Sequence, residues 1–216
     1  LRKQNFISFF VFYILPVGVL SCGWKPFLGQ TFYRQIKYFN MQRENYMLII
    51  WDFDGVICDS DDIWAENWRK LLKSEKDIEI SEQEKRELLI GISEKDKAKR
   101  LESHFSGLKI DDAFKKKLNE LHDFGMKNLL VLTNGVDKIF ADSRFKQCIA
   151  TGGNQYQNDT KNHTVGIDKY FSKNNCFTAD MVEKGKPNPD IFLLAAEKMQ
   201  VSASDCIIIE DSLEGI

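Results

Sequence analysis

Two aspartates lie two residues apart in the segment Asp52-Phe-Asp54-Gly55. They directly follow Met47–Trp51, a short apolar run that suits a buried strand better than a helix. Neighbouring carboxylates repel one another unless a cation lies between them or one of them is held protonated. The pair therefore indicates a hard divalent ion, a division of labour between a nucleophile and an acid, or both, while an aspartate at a strand end also serves as a simple turn residue.

Two further apolar runs end in polar side chains, and each is short enough for a strand. They are Leu129–Leu132, followed by Thr133-Asn134, and Cys206–Ile209, followed by Glu210-Asp211. In a doubly wound parallel sheet the carboxyl ends of the strands line one ligand crevice. We therefore expect the three strand ends to converge on a single site.

The polar groups at these strand ends suit phosphoryl transfer. Asp211 adds a carboxylate to the aspartate pair, and Mg²⁺ prefers oxygen ligands of this kind. Thr133 and Asn134 can donate hydrogen bonds to phosphate oxygens, and Lys186 supplies a cation close to a predicted helix start. A nucleophile, an acid, metal-binding carboxylates and donors to phosphate are the groups that such a reaction needs.

Amphipathic spacing predicts helices between the runs. The first is Ile63–Leu72, the third runs from Ser93 to about His104, the fourth contains Ala113 and Phe124, and the fifth is Pro189–Met199. The second opens with the capping-box pattern Ser81-Glu-Gln-Glu84 and ends near Ile90. Residues 61–112 thus form a helical insertion after the first strand, whereas segment 147–162 has no period and is expected to be a surface loop. The expected fold class is α/β, a doubly wound parallel sheet with a small helical insertion.

These features resemble the haloacid dehalogenase superfamily of phosphohydrolases. The resemblance covers residues 47–60 and about 125–216, and four motifs carry it. They are Asp52–Ser60, Leu132-Thr-Asn134, Gly185–Phe192 and Ile209–Gly215. Dehalogenases of this fold use only the first aspartate, so Asp54 favours the phosphatase branch, in its β-phosphoglucomutase and phosphoglycolate phosphatase-like subgroup.

The resemblance implies a covalent mechanism with Mg²⁺ as cofactor. Asp52 would attack phosphorus to form an aspartyl-phosphate, and Asp54 would act first as general acid and then as general base. The Asp52 carboxylate, the Asp54 backbone carbonyl and Asp211 would hold the metal, with Glu210 supporting these ligands. The core resembles a Rossmann-like sheet whose helical insertion at 61–112 occupies the place of a small mobile cap that excludes water.

The same resemblance assigns roles in substrate binding. The transferring phosphoryl group would be held by Thr133, Asn134 and Lys186. In the cap, the segment Gly91–Lys95 resembles a loop that contacts substrate, which makes Gly91 and Lys95 candidate binding residues. Lys95 is explained equally well as a solvated lysine near a helix start.

A tryptophan bears on the type of reaction. In the β-phosphoglucomutase-like subgroup, the first cap helix carries a histidine that helps gate the mutase cycle. The corresponding position here is Trp64. The resemblance therefore favours hydrolysis over transfer between positions of a sugar.

Composition excludes several classes of protein. Lys and Arg total 30 against 32 for Asp and Glu, a net charge of −2, which argues against a nucleic-acid reader. The five cysteines are widely spaced without a C-x-x-C pair, which disfavours a disulfide framework or a zinc site. Such cysteine usage suits a reducing compartment, so we expect a cytoplasmic location.

The first 46 residues differ from the rest because Phe6–Leu20 is almost wholly apolar. The basic residues before this run resemble the start of a secretory signal, which would mean export or a membrane anchor. The alternatives are a spurious or fragmentary extension, with the true start at Met41 or Met47, and a genuine folded extension. No stable membrane association is expected unless the leader is genuine.

Together these observations predict three parts: a leader at 1–46, a C-terminally incomplete core at 47–60 and 113–216, and a cap at 61–112. The predicted function is a Mg²⁺-dependent phosphatase of a small phosphorylated metabolite, of the sugar phosphate or phosphoglycolate type. The alternatives are a phosphomutase of the same family and a catalytically weak binding protein that keeps the fold. The oligomeric state stays open.

Overall fold

The structure of the chain is a computed structural model that describes residues 10–13, 48–90, 92, 94–142 and 145–211. The chain divides into two compact units. The sheet unit joins the residues up to Cys58 to those from Leu132 onward. The helical unit runs from Asp59 to Val131.

The described residues form helices in both units. In chain order these are α1 Asp61–Lys76, α2 Glu82–Leu88, α3 Glu94–His104, α4 Asp112–Asn128, α5 Val136–Phe140, α6 Gln155–Thr164 and α7 Asp190–Lys198. The first four lie in the helical unit and the last three in the sheet unit. All five helices predicted from spacing and capping are observed, as α1, α2, α3, α4 and α7. Ser93, the predicted cap of α3, lies outside the described residues.

The sheet unit contains a sheet with the strand order β1-β5-β2-β3-β4 among the described residues. The strands are β1 Phe10–Tyr13, β2 Leu48–Trp51, β3 Lys146–Thr151, β4 Cys176–Thr178 and β5 Cys206–Glu210. The last four are parallel, and β1 runs antiparallel along β5. The predicted α/β fold with a parallel sheet is confirmed.

The central strands are buried along their whole length. All four residues of β2 and all five of β5 are buried, which explains why both appear in the sequence as continuous apolar runs. Helix α7 covers one face of the sheet, where Ile191, Phe192 and Ala195 pack with Leu48 and Ile50 in one apolar core. The parallel register of β2 and β5, with Trp51 opposite Ile209, aligns their carboxyl ends.

The helical unit has an apolar core of its own. Buried side chains from α1, α3 and α4 meet in it, among them Trp68, Leu101, Phe114 and Leu118. Helix α2 begins with the predicted capping box, because Ser81 Oγ accepts from the Glu84 N–H at 3.2 Å and the Glu84 carboxylate accepts from the Ser81 N–H at 2.9 Å.

Helix α4 belongs with the helical unit, where it packs against α1. Gly125 allows the close approach, since a Cβ at this position would lie 3.1 Å from side-chain atoms of both Ile63 and Trp64. The sequence analysis placed residues from 113 onward with the core. The unit boundary observed here lies after Val131 instead.

The strand expected at Leu129–Leu132 is wrong. Helix α4 continues to Asn128, and the N–H of Leu129 donates to the carbonyl of Gly125 at 2.9 Å. Val131 is 73% exposed, so the run does not form a buried strand. An apolar run at a helix end and a buried strand have the same short pattern, and periodicity cannot separate them.

The surface loop expected at 147–162 is also wrong. Most of this segment forms β3 and α6, and Cys148, Ile149 and Ala150 are buried in the sheet. Asn154 and Gln157 form a capping box at the start of α6, with Asn154 Oδ1 accepting from the Gln157 N–H at 2.9 Å. Asn-x-x-Gln was the sequence signal for this helix.

Strand β1 lies inside the segment that the sequence analysis treated as a leader. Its Phe10 is opposite Glu210, and its Tyr13 is opposite Ile207. The other residues of 1–46 lie outside the described part of the chain. None of the described helices is both long and apolar enough to cross a membrane.

Candidate active site

Asp52 and Glu210 lie side by side where β2 and β5 end. Trp51 is paired with Ile209, and the N–H of Asp52 donates to the carbonyl of Ile209 at 2.9 Å. Both carboxylates are buried, and Asp211 follows directly. Two of the three strand ends expected to converge therefore meet.

Lys186 bridges the two buried carboxylates. Its Nζ lies 2.6 Å from Asp52 Oδ1 and 2.7 Å from Glu210 Oε2. The ring of Phe192 in α7 lies 4.9 Å from the same ammonium, which fixes Lys186 from another side. The cation predicted near a helix start is thus held directly beside the predicted nucleophile.

The negative charge of this cluster exceeds what Lys186 can balance. Burial, together with the charges of Glu210 and Asp54, raises the pKa of Asp52 to about 7 against the opposing effect of Lys186. Burial acts to lower the pKa of Lys186, but the charges of Asp52 and Glu210 outweigh burial and raise it. A further positive charge beside Asp52 would favour its ionised form.

Three carboxylates can meet at one cation. Asp52, Glu210 and Asp211 each offer an oxygen, and these atoms lie within 4.8 Å of one another. Gly55, at φ +77°, makes room for this arrangement, because a Cβ there would lie 1.9 Å from Asp211 Oδ2. An all-oxygen donor set suits a hard divalent ion such as Mg²⁺.

Asp54 has a cationic partner that the sequence analysis missed. The buried ammonium of Lys161, on α6, forms an ion pair with Asp54 Oδ2. With all four carboxylates of the cluster ionised, they and the two ammonium groups carry a formal charge of −2 among the described residues, which one divalent ion would neutralise. Lys161 is 107 residues from Asp54 and lay in the segment expected to be a loop, so no local pattern connected the two.

The sequence profile of the haloacid dehalogenase-like hydrolases matches residues 46–216. This chain belongs to that family. It is 27% identical over 174 residues to the phosphorylated carbohydrates phosphatase of Thermotoga maritima, a match that covers 78% of this chain and 77% of the relative. The solved structure of a haloacid dehalogenase-like protein from Agrobacterium tumefaciens matches with a TM-score of 0.70 at 28% identity, covering 79% of this chain and 77% of the other.

A shorter match concerns a different enzyme. The β-phosphoglucomutase of Bacillus subtilis is 61% identical to this hydrolase over 33 residues, which is 15% of each chain. The expected superfamily and the expectation of a hydrolytic enzyme are both confirmed by these comparisons.

Two predicted phosphate donors of this hydrolase do not lie at a strand end. Thr133 is buried, its N–H donates to the carbonyl of Ile57 at 2.8 Å, and its Oγ1 has no hydrogen-bond partner among the residues that the structure describes. Asn134 is exposed in the turn before α5. Thr151 is the last residue of β3, the strand beside β2. Its hydroxyl oxygen accepts from the Gly153 N–H at 3.1 Å.

The predicted substrate-contacting segment is only partly described. Gly91 and the side chain of Lys95 lie outside the described residues. Glu94 between them accepts from Trp68 Nε1 at 2.8 Å and from Lys97 Nζ at 2.6 Å. Burial acts to raise the pKa of Glu94, but the hydrogen bond from His122 and the nearby Lys97 lower this pKa to about 2. Glu94 is therefore a carboxylate that binds other side chains of the helical unit.

Proposed function

We propose that this hydrolase is a Mg²⁺-dependent phosphatase that acts on a small phosphorylated metabolite through an aspartyl-phosphate. The contact between Asp52 and Lys186 at the end of β2 carries the proposal. It places a carboxylate nucleophile beside a cation able to bind phosphoryl oxygens. The Thermotoga relative supports a phosphorylated carbohydrate as substrate class, and a phosphoglycolate-type substrate is the other candidate.

The proposed reaction has two steps. An oxygen of Asp52 attacks phosphorus, the bond from phosphorus to the leaving oxygen breaks, and the carboxyl group of Asp54 gives its proton to that oxygen. Asp54 then takes a proton from water as the water attacks the aspartyl-phosphate. Inorganic phosphate leaves, the carboxylate of Asp52 is restored, and Asp54 is protonated again.

Other residues in the site stabilise charge. The Asp52 carboxylate, the Asp54 backbone carbonyl and Asp211 would hold Mg²⁺, and Glu210 would support them. When bound, the ion neutralises the charge that otherwise opposes the approach of a phosphate to these carboxylates. Lys186, held between Asp52 and Glu210, would bind the phosphoryl oxygens.

Three side chains are candidate hydrogen-bond donors to the phosphoryl oxygens. Thr133 and Asn134 remain candidates, but Thr151 is a stronger candidate than either because it lies at the end of β3. Gly91 and Lys95 are proposed to contact the rest of the substrate. For the helical unit, we propose the role of a cap that excludes water.

A phosphomutase is the second candidate, and the match to β-phosphoglucomutase favours it. Trp64 in place of the gating histidine weighs against it. A catalytically weak binding protein is the third candidate.

Release of p-nitrophenol from p-nitrophenyl phosphate by the full chain, with and without Mg²⁺, tests the proposed phosphatase activity. A folded chain without turnover would contradict the proposed activity.

A reducing compartment suits the proposed enzyme. Cys148, Cys176 and Cys206 are buried and form no disulfide in the described part of the chain. Burial raises the pKa of the Cys206 thiol to about 11, which keeps it protonated and unreactive. We therefore keep a cytoplasmic location as a prediction, to be checked by fractionation of cells that express the tagged chain.

A further inference from the structure

Lys161 is held inside the sheet unit by two groups from the loop after β2. Its side chain is only 5% exposed, and its ammonium pairs with Asp54. The ring of Phe53, itself fully buried, lies 5.0 Å from the same ammonium. A lysine side chain this deeply buried rarely lacks a charged partner. The ion pair with Asp54 therefore determines the position of the Lys161 ammonium group.

Helix α6 presents an unusual face around Lys161. Asn158, Lys161 and Asn162 are all buried, at the i, i+3, i+4 spacing that ordinarily carries apolar residues. Among the described residues, Oδ1 of Asn158 and Oδ1 of Asn162 have no hydrogen-bond partner. Burying polar groups without partners costs stability, and proteins tolerate such costs mainly at functional sites.

The helix that carries Lys161 is itself fixed at both ends. The Asn154–Gln157 capping box closes its start, and the N–H of Val165 donates to the carbonyl of Lys161 at 3.1 Å at its end. Asn162 also donates to Cys176 Sγ of β4 at 3.5 Å. Lys161 therefore projects from a rigid element toward a residue of the loop after β2.

Resting on the proposed phosphatase activity, we propose that Lys161 is a positioning residue that fixes the carboxyl group of Asp54 for proton transfer to the leaving group. Asp54 is 29% exposed, and its charge interacts unfavourably with that of Asp52. The ion pair with Lys161 holds Oδ2 and so sets the plane of the whole carboxyl group. Lys161 acts through Asp54 and makes no bond to substrate.

Leaving-group dependence distinguishes this role from a general structural one. An alkyl alkoxide needs a proton as it leaves, whereas p-nitrophenolate leaves readily without one. A misplaced Asp54 therefore penalises an alkyl phosphate more than p-nitrophenyl phosphate. General acid help is worth about 10²–10⁴-fold, so a partial loss of positioning should lower kcat/KM for glycerol 1-phosphate or glucose 6-phosphate by roughly 10–100-fold.

The experiment compares Lys161→Met with the wild-type full chain on whichever of these alkyl phosphates the wild type hydrolyses, and on p-nitrophenyl phosphate. We expect the ratio of the two kcat/KM values to fall by about tenfold or more, with the alkyl phosphate affected more. Lys173→Met is the matched control, because Lys173 is exposed and pairs with Asp159. It should leave both values unchanged.

A second pair of variants makes the result independent of whether Lys161→Met folds. Lys161→Arg keeps the charge but changes its reach, so it should lower the alkyl to aryl ratio while Asp54 is present. In an Asp54→Asn background the same change should have no further effect on that ratio. An equal loss on both substrates, or an effect that persists without Asp54, would show that Lys161 does not position the acid.

The outcomes also separate this inference from the proposed function. A wild-type chain that hydrolyses no phosphate monoester contradicts the phosphatase itself. A wild-type chain that hydrolyses both substrates, with an unchanged ratio in both Lys161 variants, contradicts only the role of Lys161.

Discussion

The ammonium of Lys186 lies 2.6 Å from Oδ1 of Asp52, although the two residues are 134 positions apart in the chain. Asp52 follows β2, and Lys186 lies in the segment that leads to α7. Glu210 shares the same ammonium at 2.7 Å. Two buried carboxylates thus share one ammonium group, an arrangement that a divalent ion beside Asp52 would complement.

Replacing the nucleophile should abolish turnover. Asp52→Asn keeps the size of the side chain but removes its ability to attack phosphorus, so kcat should fall by about 10³-fold or more. Assays with p-nitrophenyl phosphate measure the loss, and circular dichroism checks the fold. Asp168→Asn, an exposed aspartate next to His163, is the matched control and should keep full activity. A folded Asp52→Asn variant with wild-type turnover would exclude the covalent route.

Removal of divalent metal should also abolish turnover. EDTA should stop hydrolysis and added Mg²⁺ should restore it, because phosphate and the carboxylates of Asp52 and Asp211 otherwise repel one another. Glu210→Gln should weaken the apparent affinity for Mg²⁺ by about 10–100-fold, as expected for a group that supports the ligands. Titration of activity against Mg²⁺ measures both. Full turnover in a metal-free preparation would rule out this account of the acidic cluster.

Stability of the metal-free chain should depend on Asp52 in a specific direction. The pKa of its carboxyl is raised by burial from 3.8 to about 7 in the folded protein. Between these values the folded protein binds more protons at Asp52 than the unfolded chain does. This residue therefore lowers the free energy of unfolding as pH rises through that window.

Urea unfolding of the wild type and of Asp52→Asn, in EDTA across this pH range, tests the sign. The variant should lack the part of the downward slope that Asp52 contributes. Because Mg²⁺ binds the deprotonated carboxylate, the ion should stabilise the wild type more at about pH 8 than at about pH 5. Parallel curves for the two proteins would contradict the raised pKa.

Patterned elements made part of the fold and part of the candidate site predictable from the sequence. Residues Asp52, Asp211 and Lys186 were identified because each follows or precedes a strongly patterned element. Strand β3 was missed because it opens with the polar pair Lys146-Gln147 and has only three buried apolar residues before Thr151. Lys161 was missed for a different reason, since its partner is distant in the chain and only tertiary structure brings them together.

The choice between Thr151 and Thr133 can be settled with a matched pair of valine variants. Thr151→Val removes the hydroxyl at the end of β3 and should lower kcat/KM by about tenfold or more, as expected for a lost donor to the reacting group. Thr133→Val removes a buried hydroxyl that has no hydrogen-bond partner within the described part of the chain, so its effect on stability should be neutral or favourable. Its effect on kcat/KM should be smaller than that of Thr151→Val. A larger loss for Thr133→Val would restore the assignment made from the sequence.

The last prediction concerns the acceptor of the phosphoryl group. Trp64 lies in the helical unit with its ring 5.0 Å from that of His122, whose Nδ1 is 3.0 Å from Asn67 Nδ2 and whose Nε2 is 3.4 Å from Glu94. His122, which packs against Trp64, thus has both nitrogens engaged within the unit, and Trp64 itself cannot exchange a proton with a sugar hydroxyl. General acid–base help is worth about 10²–10⁴-fold, so its absence should leave water as the main acceptor. Incubation with glucose 1-phosphate and its bisphosphate, followed by phosphorus NMR, should show free phosphate, whereas glucose 6-phosphate formed without phosphate release would show that this hydrolase is a mutase.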